Sequence, residues 1–156
     1  MRTRAAQALD RLGVPYDLLK FEAEQFTARE ASERLGIPLA QVFKTLVVRA
    51  DDGRVLLACV PAAEELNLRA LARLTGAKRI EMADAADLMR LVGYIKGAVS
   101  LLGTKRSFPT FIDASVLRHT KVSVSAGVRG LQIWIDPRDL VRATTARVEA
   151  LTTGRQ

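Results

Sequence analysis

Histidine and cysteine each occur once in this 156-residue chain, as His119 and Cys59. That scarcity excludes several classes of chemistry. A single cysteine forms no internal disulfide, which fits a reducing, cytoplasmic setting. A zinc site draws several ligands from His, Cys and carboxylates, and the chain has neither an HExxH nor a CxxC spacing. No metal and no cofactor is therefore expected. A Ser-His-Asp or Cys-His arrangement would have only His119 as its base, and no nucleophile-elbow pattern accompanies it. His119 reads as a loop or strand-edge residue. Cys59, in the run Leu56-Leu57-Ala58-Cys59-Val60, reads as a small core hydrophobe.

Other features are missing too. No apolar run approaches the ~20 residues that span a bilayer. The basic start Met1-Arg2-Thr3-Arg4 is not followed by a long apolar stretch, so no secretory signal is expected. There is no internal repeat and no low-complexity linker, and a single domain over residues 1–156 is expected. Basic residues are scattered, with small groups at Lys78-Arg79 and Lys105-Arg106, and no basic arm results.

What the chain does have is a surplus of positive charge, 24 basic against 17 acidic residues, for a net charge of +7. Such a balance favours anionic partners, nucleic acid above all. Simple solubility accounts for it equally well.

Local signals place the elements. Ala5, Ala8, Leu9 and Leu12 follow helical spacing, and Gly13 can end that helix. The segment from Tyr16 to Phe21 reads as a strand. Thr27 and Glu30 form a capping box, and Gly36 closes the helix it opens. Pro38 starts a short turn or helix. Strands from Val42 to Ala50 and from Arg54 to Val60 flank Asp51-Asp52-Gly53, a hairpin turn. Asn67 can cap a helix that Gly76 stops. A short strand is expected from Arg79 to Met82, then a helix capped by Asp84 and running to about Leu91. Glycine-punctuated loops and short strands follow over Gly93 to Gly103, Thr110 to Asp113, Lys121 to Ser125 and Leu131 to Ile135. Asp136-Pro137 opens a last helix. The sum is α+β: a mixed, barrel-like sheet flanked by helices, without Rossmann alternation.

Two stretches invite a chemical reading. Gly97 to Lys105 looks like a P-loop, but its spacing is one residue too long and its Thr-Lys order is reversed, which argues against triphosphate binding. Its glycines would still let backbone N–H groups approach a ligand, although plain turns use them more often. Lys44 interrupts Val42-Phe43-Lys44-Thr45-Leu46-Val47-Val48 on the face of Val42, Leu46 and Val48. A lysine there must snorkel to water or meet an anion. Snorkelling at a sheet edge is the commoner outcome. The functional alternative is a cation on a cleft floor, holding a phosphate or an acyl oxygen.

Gln41-Val42-Phe43-Lys44-Thr45-Leu46 resembles the lysine motif of the YbaK/ProX family of aminoacyl-tRNA deacylases. The resemblance continues through Gly76 to Asp84, through Gly93-Tyr94-Ile95-Lys96-Gly97-Ala98-Val99-Ser100 and through Val124-Ser125-Ala126-Gly127 to Arg129-Gly130-Leu131. It spans nearly the whole chain in order and is closest to the bacterial Cys-tRNA(Pro) branch. It implies a compact barrel-like domain and hydrolytic editing of mischarged tRNA, most directly Cys-tRNA(Pro), with prolyl-tRNA synthetase as a candidate partner. It implies that Lys44 holds the substrate near its ester, that Gly97 supplies a backbone group and that Ser125 lines the pocket. Phe21 and Gln132 stand where the family pattern has a tyrosine and an aspartate, so a hydroxyl and a carboxylate are missing. An ester is already activated, so positioning and charge stabilisation can suffice. In the family picture a cysteinyl substrate attacks its own carbonyl through its thiol, formally a lyase-like step. The alternatives are a deacylase for another charged tRNA, such as Ala-tRNA(Pro), or an inactive tRNA- or synthetase-binding module.

Overall fold

The computed structural model describes residues 2–153; Met1 and residues 154–156, the ends of the expected domain, lie outside the described residues. Helix α1 (Arg4–Leu12) opens on Thr3, whose hydroxyl accepts the Ala6 N–H, and buries Ala5, Ala6 and Leu9 before Gly13 stops it. Strand β1 (Asp17–Lys20) follows. Helix α2 (Ala28–Leu35) starts at the Thr27 hydroxyl, which accepts the Glu30 N–H. The Glu30 carboxylate does not return to Thr27, as a capping box would have it. It accepts the N–H groups of Glu24, Gln25 and Phe26 and so pins the loop before the helix.

Strands β2 (Phe43–Ala50) and β3 (Val55–Pro61) form the expected antiparallel hairpin. All seven residues of β3 are buried, as a central strand covered on both faces requires. Helix α3 (Leu68–Thr75) lies between the Asn67 cap and Gly76. Strand β4 (Ile80–Met82) pairs with β2 only over Val48 to Ala50. The single helix expected from Asp84 is instead a 3-10 turn over Ala85–Asp87 followed by α4 (Leu88–Val92), and the Asp84 side chain makes no capping bond. Beyond it come β5 (Thr110–Asp113), β6 (Val122–Ser125), β7 (Leu131–Ile135), α5 (Pro137–Thr144) and β8 (Arg147–Glu149). Between Gly93 and Gly103 the chain forms turns and bends without a strand, because Gly97 and Gly103 hold left-handed φ values of +86° and +67°.

The architecture is mixed α+β, with two sheets. One has five strands in the order β4-β2-β3-β5-β8, the other three in the order β1-β7-β6. A single parallel bridge, Val42 to Ser123, joins them. The sheet is thus mixed and flanked by helices as expected, but it is not a closed barrel. Closure would need β6 to pair along β2 and the outer edges β1 and β8 to pair with each other, and neither pairing is formed. The larger core packs Phe43, Val47, Leu57 and Ile112 of the five-stranded sheet against Leu9, Ile133, Ile135 and Leu140. Its other face buries Val48, Leu56, Ala58 and Val60 against Leu71 of α3.

Candidate active site

Because β4 leaves the first half of β2 unpaired on that side, an open strand edge results. The Ala83 N–H closes it by donating to the Val47 carbonyl at 2.9 Å. Along this edge lies a cleft of about 850 Å³. Its walls are the loop before α2, the segment from Met82 to Ala85, the loop around Gly97, and the facing ends of β6 and β7. Phe21, Lys44, Gly97, Ser125 and Gln132 all line it, although the chain separates them by more than a hundred residues.

Strand alternation sets Lys44 on the face of Leu46 and Val48, opposite Val60 in the ladder. It is half-buried and has no ion-pair partner among the described residues. Arg29 and Lys96 add two further cations to the lining, and Asp84 is its one carboxylate among the described residues. The cleft thus has an excess of positive charge on a largely apolar wall of Phe43, Leu46, Val47, Leu88 and Val99.

Ser125 and Gln132 are paired across β6 and β7. The Ser125 oxygen accepts the Gly127 N–H at 3.1 Å, which leaves its own proton free to donate. Gln132 is buried, and its carbonyl oxygen accepts the Ser123 hydroxyl at 2.7 Å. That bond turns the Gln132 amide N–H groups away from Ser123, so the site has a neutral donor here where a carboxylate would only accept. Phe21 is held at the rim by its N–H, which donates to the Gly130 carbonyl at 2.9 Å. Its ring supplies no hydroxyl.

Cys59 and His119 stand outside the lining. Cys59 is fully buried, and burial pushes its thiol up to about 12, so it stays protonated. The Thr45 hydroxyl oxygen is buried opposite it, without a hydrogen-bond partner of good geometry. His119 follows a 3-10 turn over Ala114–Arg118 and meets the Phe43 ring edge-on at 6.3 Å. Among the described residues no three His, Cys, Asp or Glu side chains are grouped to hold a metal ion.

Phe26, Arg29 and Asp84 also line the cleft, and the sequence marked none of them as a site residue. Phe26 precedes the Thr27 cap, where an apolar residue ordinarily packs back on its helix. Asp84 reads as a cap, and Arg29 as a solvated helix residue. Phe26 and Asp84 reach the cleft from loops, which carry no periodic signal, and Arg29 reaches it from the first turn of α2.

Residues 22–143 match the profile of the aminoacyl-tRNA editing domain. The chain is 33% identical over 154 residues to the candidate Cys-tRNA(Pro)/Cys-tRNA(Cys) deacylase EbsC of Enterococcus faecalis, a match covering 97% of this chain and 94% of that protein. It is 29% identical over 131 residues to the proline–tRNA ligase of Acidithiobacillus ferrooxidans, covering 82% of this chain and 23% of the ligase. The solved structure of a candidate trans-editing enzyme for prolyl tRNA synthetase superposes with a TM-score of 0.88 at 26% identity, over 97% of this chain and 96% of that one.

Proposed function

This chain belongs to the aminoacyl-tRNA editing domain family, and from that membership we propose that it is a cytoplasmic deacylase that clears mischarged tRNA in trans, with Cys-tRNA(Pro) its preferred substrate. The observation that carries this reading is Lys44. An unpaired cation on an apolar cleft floor is the feature an ester hydrolase without a protein nucleophile needs. Its ammonium would face the ester carbonyl and stabilise the negative charge that develops there. Ser125 would donate to the substrate, Gly97 would offer its backbone, and Phe21 and Gln132 would bound the amino-acid pocket.

Substrate assistance completes the chemistry. The cysteinyl sulfur, as thiolate, attacks the carbonyl carbon of its own ester. The bond from that carbon to the ribose oxygen breaks, and this oxygen takes up the proton that the sulfur gave to solvent. A cyclic thioester remains, which water opens to free cysteine. A thiol ionises far more readily near neutral pH than a hydroxyl, so alanyl and seryl esters lack this route. Pocket size alone would discriminate weakly, by about 1–3 kcal/mol for one small group. Prolyl-tRNA synthetase, which charges tRNA(Pro) and so produces its mischarged forms, is the natural associate of such an activity.

Cys-, Ala- and Ser-tRNA(Pro), with an S-methylcysteinyl ester beside them, form the test panel. Fastest release of cysteine and a resistant methylated ester are expected. Equal cleavage of the methylated ester would remove the thiol mechanism. Fastest release of alanine would assign the Gln132 pocket to alanine, and no release from any of them would refute the deacylase reading.

A further inference from the structure

Phe26 holds a φ of +60°, a left-handed conformation that a bulky residue rarely adopts. Its surroundings impose it. The Glu30 carboxylate accepts the N–H groups of Glu24, Gln25 and Phe26 at 2.8, 3.0 and 3.1 Å. Gly97 packs so closely that an added Cβ would stand 2.7 Å from the Phe26 Cβ. The result is a presented ring. Phe26 lines the cleft yet stays 40% exposed, and it is the one aromatic among the exposed large apolar side chains described.

One face of that ring is already taken. The Arg129 guanidinium lies 3.9 Å from the ring centroid, fixed by its bonds to the Lys96 carbonyl at 3.1 and 2.8 Å. Cations Arg29 and Lys96 line the same cleft, and neither has a carboxylate partner among the described residues. A rigid ring, backed by a cation and set among unneutralised charges, suits a planar base attached to phosphates.

We propose that Phe26, backed by Arg129, is the stacking platform for the 3′-terminal purine base of the RNA whose aminoacyl end occupies the cleft. The inference rests on the deacylase reading for the identity of the RNA end, and on the ring itself for the stacking. The base takes the face that Arg129 leaves open, while Arg29 and Lys96 meet the adjoining phosphates. The Glu30 bonds, the close packing of Gly97 and the Arg129 contact hold Phe26 in place before the ligand arrives, so little ordering is left to do on binding. Stacking requires no readout of base edges, so this platform grips the end common to all tRNAs and leaves amino-acid choice to the inner pocket.

An uncharged RNA acceptor-stem hairpin ending in 2-aminopurine tests this directly, because stacking quenches that base. Wild-type protein should quench it on binding. Phe26→Leu, which keeps an apolar side chain at the same φ, should lose the quench and weaken binding about tenfold. Phe26→Tyr should restore both. Unchanged binding and quenching in Phe26→Leu would overturn the proposal, as would a wild-type protein that does not quench the probe. Competition by free adenosine monophosphate at the hairpin's own concentration would overturn the RNA assignment. Deacylation of charged tRNA is read separately. A protein that quenches through Phe26 but hydrolyses no ester would keep the platform and lose the deacylase reading.

Discussion

At Gly97 two constraints coincide. Its φ of +86° disfavours any side chain, and a Cβ would meet the Phe26 carbonyl oxygen at 2.8 Å, a backbone atom that cannot swing aside. Gly97→Ala should therefore destabilise the protein by about 1–3 kcal/mol and push the loop of Phe26 outward. Urea denaturation measures the first effect, and an unchanged midpoint would mean that the loop yields freely. The residue scale is also where the sequence was most legible. Lys44 breaks an apolar alternation, and alternation alone assigns its face. Phe21, Ser125 and Gln132 are recognisable only through the family pattern, because a phenylalanine, a serine or a glutamine in a loop or at a strand end has no distinctive chemistry of its own, and Gly97 stands out from the residues alone only as one of several loop glycines. Phe26 was hidden because its exposure comes from a backbone conformation that composition does not encode.

Between residue and fold stands the segment that Glu30 clamps. Burial opposes charge on this carboxyl, but the N–H groups of Glu24, Gln25 and Phe26, together with Arg34, outweigh it and hold the group below its ordinary value of 4.5. Glu30 thus binds its proton more weakly folded than unfolded. Its stabilising contribution is complete at neutral pH, declines as pH falls below 4.5, and vanishes below the folded value. Glu30→Gln should lower stability at pH 7 and bring a smaller loss at about pH 3. Paired denaturation curves at the two pH values check this, and an equal loss at both would show that charge is not what the clamp uses. Capping chemistry made the helix starts legible at Thr27, Asn67 and Asp136, because each cap is a local bond within three residues. Sheet closure was not legible. A barrel and two bridged sheets share the same strand patterns, and they differ in long-range edge pairings, of β2 with β6 and of β1 with β8. Strand β8 escaped notice for a related reason: Arg147-Val148-Glu149 is short, and its parallel pairing to β5 is long-range.

Across the whole molecule, the fold turns a scattered positive charge into a local one. The sequence shows a net charge of +7 with no dense tract. The structure gathers Arg29, Lys44 and Lys96 around one cleft with Asp84 as the only carboxylate in its wall among the described residues, and adds Arg129 beside Phe26. Such a local excess of positive charge suits an anionic ligand. No helix among the described residues is long and apolar enough to cross a membrane. The central claim is that ester cleavage depends on Lys44 at the floor of that cleft. Release of cysteine from Cys-tRNA(Pro), followed side by side for the wild type and a Lys44→Ala variant shown to be folded by circular dichroism, tests it most directly. Removal of a preorganised charge stabiliser should slow the reaction about a hundredfold or more, with the fold intact. Turnover near the wild-type rate in a folded Lys44→Ala protein would contradict it.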